Sequence, residues 1–387
     1  MHKVASLLEK GVLENRAQEA IEGDSSPDSV GRQVGRVVFL GDVALARRIG
    51  EQIDEHGVAR PFGKLPNGFF DADVVVFNLE CCISARGDSW EPKPALMRGK
   101  PEYLGIFPRG EQCYVANVAN NHFLDFGEKG AADTIEALKV AGMLHIGADG
   151  ELADRQPLVV GTSGGSVALL AFAPCAHRLP GDVRVNVAPD RSREILKAVK
   201  QAKDQADVLV VSLHQGVEHC QYTHRASRRL AQEVAKAGAD LVIVHHTHVI
   251  QGIEQTGESL IFHGIGNFLL DVPQERRPAA AHTLVVRVEI AGRKIDRFLV
   301  EPIRMNESWQ PEVLEGASRA SVFAEIRELS LLLTSRVGVA INDLGALTHW
   351  SRHKVLSSWS MVRRVGVRKT ASYYWSRLVD RFVSGFI

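Results

Sequence analysis

The 387-residue chain lacks most of the features that assign a sequence early. It has no stretch approaching roughly 18 uninterrupted apolar residues, so no membrane-spanning helix is expected. Its 46 basic and 46 acidic residues cancel, which argues against a general nucleic-acid binder. The cysteines are Cys81, Cys82, Cys113, Cys175 and Cys220: an odd number, one adjacent pair and no CxxC. That pattern speaks against a disulfide framework or a cysteine zinc site and fits a reducing compartment. There is no internal repeat and no low-complexity tract. Residues 1–30 carry Glu9, Glu14 and Glu19 and no continuous apolar stretch, so they do not read as a signal peptide. The expected location is cytoplasmic. A peripheral membrane contact stays open because of the C-terminus.

What is present reads as a layered α/β protein. Hydrophobic residues make up 45% and charged residues 24% of the chain, enough apolar surface for a large core. Apolar runs at 34–40, 73–79, 113–119, 166–173, 207–213, 240–245 and 259–264 predict strands. They are apolar throughout rather than alternating, which predicts burial on both faces. Helical patterns lie between several of them, at 128–142, 189–204 and 224–238. The runs at 282–290 and 296–302 alternate and have no helix between them, so an antiparallel edge is expected. Residues 3–22 resemble a short amphipathic helix, 23–31 a linker, and 316–336 a helix. The expected division is 1–33 (helix and linker), 34–305 (the main domain) and 306–387 (a helical, basic and aromatic region).

The chemistry sits at strand ends, where α/β sheets place their sites. Asp42 ends the first run, Asn78 and Glu80 the second. Asn120, Asn121, His122 and Asp125 follow the third. His214 and Glu218, then His245, His246 and His248, then His263, Asn267 and Asp271 follow later runs. Hard oxygens mixed with imidazoles suit Zn²⁺, Mn²⁺ or Fe. In "HHTH" (245–248), alternation along an extended chain would put His246 and His248 on one face and turn His245 away. The plain alternative is that such residues only cap strands and are satisfied by hydrogen bonds.

The ordered motifs "GDVAL", "FNLE", "ANNHFLDFGEKG", "HIGAD", "VSLHQGVEH", "VHHTHVIQG" and "GIGNFLLD" resemble the CapA family of poly-γ-glutamate capsule biosynthesis proteins. The resemblance covers roughly 34–305. It implies a calcineurin-like metallophosphoesterase sandwich, two mixed sheets flanked by helices, with a helical C-terminal appendage. It also implies two divalent metal ions. Asp42 and His248 would hold the first, Glu80 would bridge, and Asn121, His214 and His246 would hold the second. His122 would face the substrate, oriented by Asp125. A hydroxide shared by ions about 3.5–4 Å apart would attack an anionic phosphoester. Asn78, Asn267, Arg98 and Arg178 would contact substrate, with Arg86, Lys93, Arg109 and His177 as further cations around the mouth.

Two departures stand out. The superfamily's Asp-x-His is absent, since Val43 and Ala44 follow Asp42, and Gln215 replaces a common tryptophan. The first-ion site is therefore ligand-poor. Three other readings stay open: a degenerate scaffold subunit of a polymer-synthesis complex, an amide hydrolase on the same fold, and an amidohydrolase barrel. The barrel is disfavoured because its His-x-His belongs on a first strand.

From His349 onward the chain holds eight Lys/Arg, one acid (Asp380), three tryptophans and Tyr373-Tyr374. This tail fits an anionic membrane, a polyanion, or a helix packed on the main domain.

Overall fold

Two valine-rich strands lie in the middle of one of the two main sheets. Strand β1 (Gly35–Val43) and strand β2 (Val74–Leu79) run parallel, with Val37, Val38 and Phe39 opposite Val74, Val75 and Val76. β-Branched side chains suit such a pleated surface, and here it is covered on both faces. The computed structural model describes residues 33–89, 95–148, 156–174, 192–272 and 277–365. The helix expected at 3–22, its linker and residues 366–387 lie outside the described residues.

The strands form two mixed sheets. In the first, β1 and β2 continue in parallel into β5 (Cys113–Asn117) and β6 (Leu144–Ile146). On the other side of β1 come β14 (His282–Ile290), β15 (Ile295–Met305) and β16 (Pro311–Val313), all antiparallel, which is the expected antiparallel edge. Short β13 (Asn267–Leu269) pairs with the end of β1. In the second sheet, β8 (Gly165–Phe172), β9 (Val208–His214), β10 (Leu241–His245) and β12 (Ser259–Phe262) are parallel. Antiparallel strands β7 (Leu158–Thr162) and β11 (Ile253–Thr256) close its two edges. A small pair, β3 (Cys82–Ile83) and β4 (Arg98–Gly99), stands apart.

The six helices among the described residues are α1 (Arg47–His56), α2 (Gly127–Val140), α3 (Ser192–Ala202), α4 (Arg225–Ala237), α5 (Gly316–Leu332) and α6 (Arg336–Val365). One core fills the space between the sheets and includes Phe39, Phe77, Leu169, Ile243 and Phe268. A second lies between the second sheet and helices α3 and α4, through Leu170, Phe172, Ile195, Val199, Leu213, Val234 and Val244. Each of these large side chains contributes about 1.5–3 kcal/mol by leaving water. Helix α4 stops at Gly238, whose φ of +126° a side chain would resist.

Residues 311–332 are tied to this framework. Strand β16 extends the first sheet past residue 305, so the division expected there separates two strands of one sheet. Helix α5 sends Val322, Phe323 and Ile326 into the inter-sheet core. The Ser330 hydroxyl accepts from Ile253 N–H at 2.9 Å. Among the described residues no helix is long and apolar enough to cross a membrane.

Candidate metal centre

The centre forms where the carboxyl ends of strands from both sheets meet. Strand β1 shifts register against β2 between Phe39 and Asp42, a bulge-type irregularity that re-aims the aspartate. Gly41 allows the close approach this needs: a Cβ there would sit 2.1 Å from the Gly266 carbonyl. That carbonyl accepts from Asp42 N–H at 3.0 Å, and Gly266 itself has φ +82°. The glycines of "LGD" and "GIGN" thus serve one junction.

Asp42 is buried and heavily bonded. Its Oδ1 accepts from Asn78 Nδ2 at 2.9 Å and lies 3.0 Å from His245 Nδ1. Its Oδ2 lies 3.3 Å from His248 Nδ1. His248 Nδ1 is also 2.8 Å from Asn267 Oδ1. Two acceptors around Nδ1 place the proton there, leaving Nε2 on the side of Glu80, 3.8 Å from Oε1. Next to them, His214 Nε2 lies 2.7 Å from Asn121 Oδ1 and 3.6 Å from Glu80 Oε1. The rings of His214 and His246 are 4.8 Å apart.

Two groups of potential ligand atoms result, Asp42–Glu80–His248 and Glu80–His214–His246, each with its atoms within 4.8 Å of one another. Glu80 belongs to both. Its two carboxylate oxygens are buried without a hydrogen-bond partner, and so is His246 Nδ1. Orphaned carboxylate oxygens in a dry site are costly, and imidazole with carboxylate is a divalent-cation donor set. The residues present fit a metal centre.

The ionisation pattern has the same origin. Burial, then the neighbouring charge of Asp42, pushes the Glu80 carboxyl well above the usual range. Burial acts upward on Asp42 too, but hydrogen bonds from His245 and His248 outweigh it and hold that carboxyl well below its ordinary value. Burial drives His214 well down, and His246 to about 4. Burial also opposes charge on His248, but Glu80 and Asp42 reverse this and raise it to about 10. Such a split set is what a cation would level, since ligands bind it deprotonated.

The loop after β5 supplies a neighbouring imidazole–carboxylate pair. Asn120 Oδ1 caps the N–H groups of His122 and Phe123, both at 3.0 Å, and its Nδ2 donates to the Leu79 carbonyl at 2.8 Å. One side chain therefore ties this loop to the residue before Glu80. His122 Nδ1 lies 2.7 Å from Asp125 Oδ2, which also accepts from Met97 N–H at 2.8 Å.

Several expectations need correction. The "HHTH" segment is not extended: strand β10 ends at His245, and His246 and His248 have φ of +85° and +57°. Both rings reach the centre, but through a left-handed turn rather than by alternation. Such backbones cost about 1–3 kcal/mol each and concentrate at functional sites. His245 does not turn away; it is buried and backs Asp42. Asn78 and Asn267, expected at the substrate, are buried at 0% and 1% exposure with their amides committed to Asp42 and His248. They brace Asp42 and His248. Arg98 lies with its guanidinium carbon 3.6 Å from the Phe126 ring centroid and donates to the Gly87 carbonyl at 2.6 Å. Arg86 pairs with Asp133 and Arg109 is exposed. Arg178, Lys93 and His177 lie outside the described residues. His263 and Asp271 are occupied elsewhere, His263 with Glu254 and Asp271 with Arg47.

His219 also joins the site, unmarked among the strand-end residues of the sequence. It has φ +59°, its ring stacks on that of His248 at 5.2 Å, and its buried Nδ1 has no partner. The charge of its neighbour Glu218 acts on Glu80, His246, His248 and the half-buried Arg277. The only signal was the acidic and imidazole pair closing "HQGVEH".

Comparison with known proteins places the chain in a family. A family model described as "Bacterial capsule synthesis protein PGA_cap" matches residues 36–272. "Capsule biosynthesis protein CapA" of Bacillus anthracis is 29% identical over 316 residues, spanning 75% of this chain and 72% of that protein. "PGA biosynthesis protein CapA" of Bacillus subtilis (strain 168) is 26% identical over 302 residues, spanning 76% and 77%. Among solved structures, a "novel phosphatase" of Mycoplasma pneumoniae overlaps with a TM-score of 0.42 at 14% identity, covering 75% of this chain and 97% of that one. The chain, with its two mixed sheets flanked by helices, belongs to the PGA_cap family of bacterial capsule synthesis proteins.

Proposed function

We propose that this CapA-like protein is a metal-dependent hydrolase of phosphoesterase type serving capsule or poly-γ-glutamate synthesis. The observation that carries the reading is Glu80: fully buried, without a hydrogen bond at either oxygen and common to two ligand groups. Asp42, Glu80 and His248 would hold one divalent ion, and Glu80, His214, His246 and Asn121 a second. Mn²⁺, Zn²⁺ and iron all suit this donor set. When bound, such ions supply Lewis acidity toward a phosphoryl oxygen and a water of lowered pKa.

The chain's own residues then have separable tasks. Asn78 and His245 fix Asp42, and Asn267 fixes the tautomer and plane of His248. Asp125 orients His122 through Nδ1, which leaves Nε2 to hold or move a proton at the leaving group. With two carboxylates against two divalent cations, the loaded pocket would favour an anionic substrate.

One observation favours a second reading, a scaffold subunit. Asp42 is followed by buried Val43 and Ala44 where an additional imidazole would complete the first ion's shell. Phosphoester hydrolysis by metal-loaded protein, measured with His122→Ala alongside, separates the two. Turnover that falls about 10²–10⁴-fold in the variant while metal content is kept supports the hydrolase. Full metal loading without turnover on phosphoesters or peptides moves the assignment to the scaffold, and cleavage of peptides alone moves it to an amide hydrolase.

A further inference from the structure

Helix α6 turns an apolar face outward. Val337, Ile341, Leu344 and Leu347 follow one another at i, i+4, i+7 and i+10, and they are 71%, 51%, 66% and 57% exposed. That spacing places all four on one side of the helix. Trp350, 40% exposed, flanks them.

The opposite side of α6 is fastened to the protein. Asn342 accepts from Thr223 N–H at 2.9 Å and donates to its carbonyl at 2.7 Å. Ala346 is buried with Val217 and Cys220. Gly345 lies on the Tyr222 ring, where a Cβ would come within 2.6 Å. His349 Nε2 is 3.2 Å from the Glu218 carbonyl. The orientation of the apolar face is therefore set by polar and close-packed anchors.

Charge selects the occupant. Helix α6 contains Arg336, Arg352, Lys354, Arg363 and Arg364 against a single acid, Asp343. The sequence beyond it adds Arg368, Lys369, Arg377 and Arg381 against Asp380. A second copy meeting the first through this face would set two net-positive helices side by side. A soluble polyanion would satisfy the basic residues and leave the aliphatic side chains in water. An anionic lipid surface suits both features, since aliphatic groups enter the headgroup layer and a segment of net positive charge is drawn to an anionic leaflet.

We propose that α6 docks this protein on an anionic membrane surface through Val337, Ile341, Leu344 and Leu347. The helix grips the segment Val217–Thr223, which begins three residues after His214 and carries Glu218 and His219 beside the metal centre. Docking thus holds the centre one loop away from the lipid. The proposal stands apart from the hydrolase reading, because the surface does not depend on what the centre does.

The test is co-sedimentation of the full chain with phosphatidylcholine vesicles, with and without phosphatidylglycerol. Wild type is expected to pellet with the anionic vesicles only, and Ile341→Glu/Leu344→Glu to lose at least about tenfold in partition. Val140→Glu, at an exposed apolar position on α2, is expected to pellet like wild type. Should the double variant not fold, Leu344→Ser/Leu347→Ser reads out the same face. Wild type that stays in solution with anionic vesicles, or a folded double variant that pellets unchanged, overturns the proposal. A wild-type dimer by light scattering that the double variant dissolves assigns the face to a second copy and overturns it equally.

Discussion

The two ligand groups of the centre share Glu80 and are braced together by Asn78, whose Nδ2 lies 2.9 Å from Asp42 Oδ1 and 3.3 Å from His214 Nδ1, yet they differ in how far their other members are satisfied. In Asp42–Glu80–His248 the other two members are already wired: Asp42 takes bonds from Asn78 and His245, and His248 is locked by Asn267. In Glu80–His214–His246, His246 Nδ1 is orphaned and Asn121 adds a fourth donor beside His214. The first half is short of ligands; the second is richer in them, with His214 held at both ring nitrogens by Asn78 and Asn121 and His246 Nδ1 left open. A buried donor without a partner gains more from a cation than one that must first give up a hydrogen bond. The difference teaches that, if the centre takes two ions as proposed, they should bind unequally, with the histidine-rich half the tighter.

The largest effect is expected at the shared vertex. Glu80→Ala should weaken both ions by more than about 100-fold, seen as near-zero metal by plasma mass spectrometry after dialysis. Loss of only one ion would show that Glu80 does not join the halves.

Next come the separate halves. His246→Ala should abolish the tighter binding event by calorimetry and leave the weaker one, whereas His248→Ala should do the reverse. Equal effects of the two would erase the comparison.

A smaller effect belongs to the positioning amides. Asn267→Ala should cost about 10–100-fold in affinity, confined to the ion at His248. A matching loss at the histidine-rich half would contradict the assignment of Asn267 to one side.

No effect on either half is expected from Glu254, which sits with Arg228 and His263 away from the centre. Burial raises its carboxyl, but His263 and Arg228 outweigh that and hold it at about 2. Its folded pKa is thus depressed from 4.5, so its stabilisation is complete above about pH 4.5 and is lost as pH falls toward about 2. The contribution is on the order of 3 kcal/mol. Glu254→Gln should remove that part of the acid-unfolding curve while metal affinities at neutral pH stay the same.

Much of this arrangement was legible in the sequence, and the reasons are physical. Strands buried on both faces leave continuous apolar runs, and sites at their ends leave polar residues at fixed offsets, so Asp42, Glu80, Asn121, His214, His246 and His248 stood out. Three-residue β6 and β13 are too short for any periodicity. The left-handed turn at His246 and His248 carries no compositional mark, because histidine does not announce a positive φ as glycine does. The bond from His245 to Asp42 joins residues 203 apart in the chain, and the stack of His219 on His248 depends on two sheets closing together. Asn78 and Asn267 share the chemistry of substrate-binding amides; only their burial reveals that they brace Asp42 and His248 instead.

The most direct test of the central claim is calorimetric titration of metal-stripped wild-type protein with Mn²⁺ and, separately, Zn²⁺. Two binding events of different affinity, the tighter one missing in His246→Ala, are expected. A single event, or two of equal affinity, would contradict the picture of a shared carboxylate between a ligand-rich and a ligand-poor half.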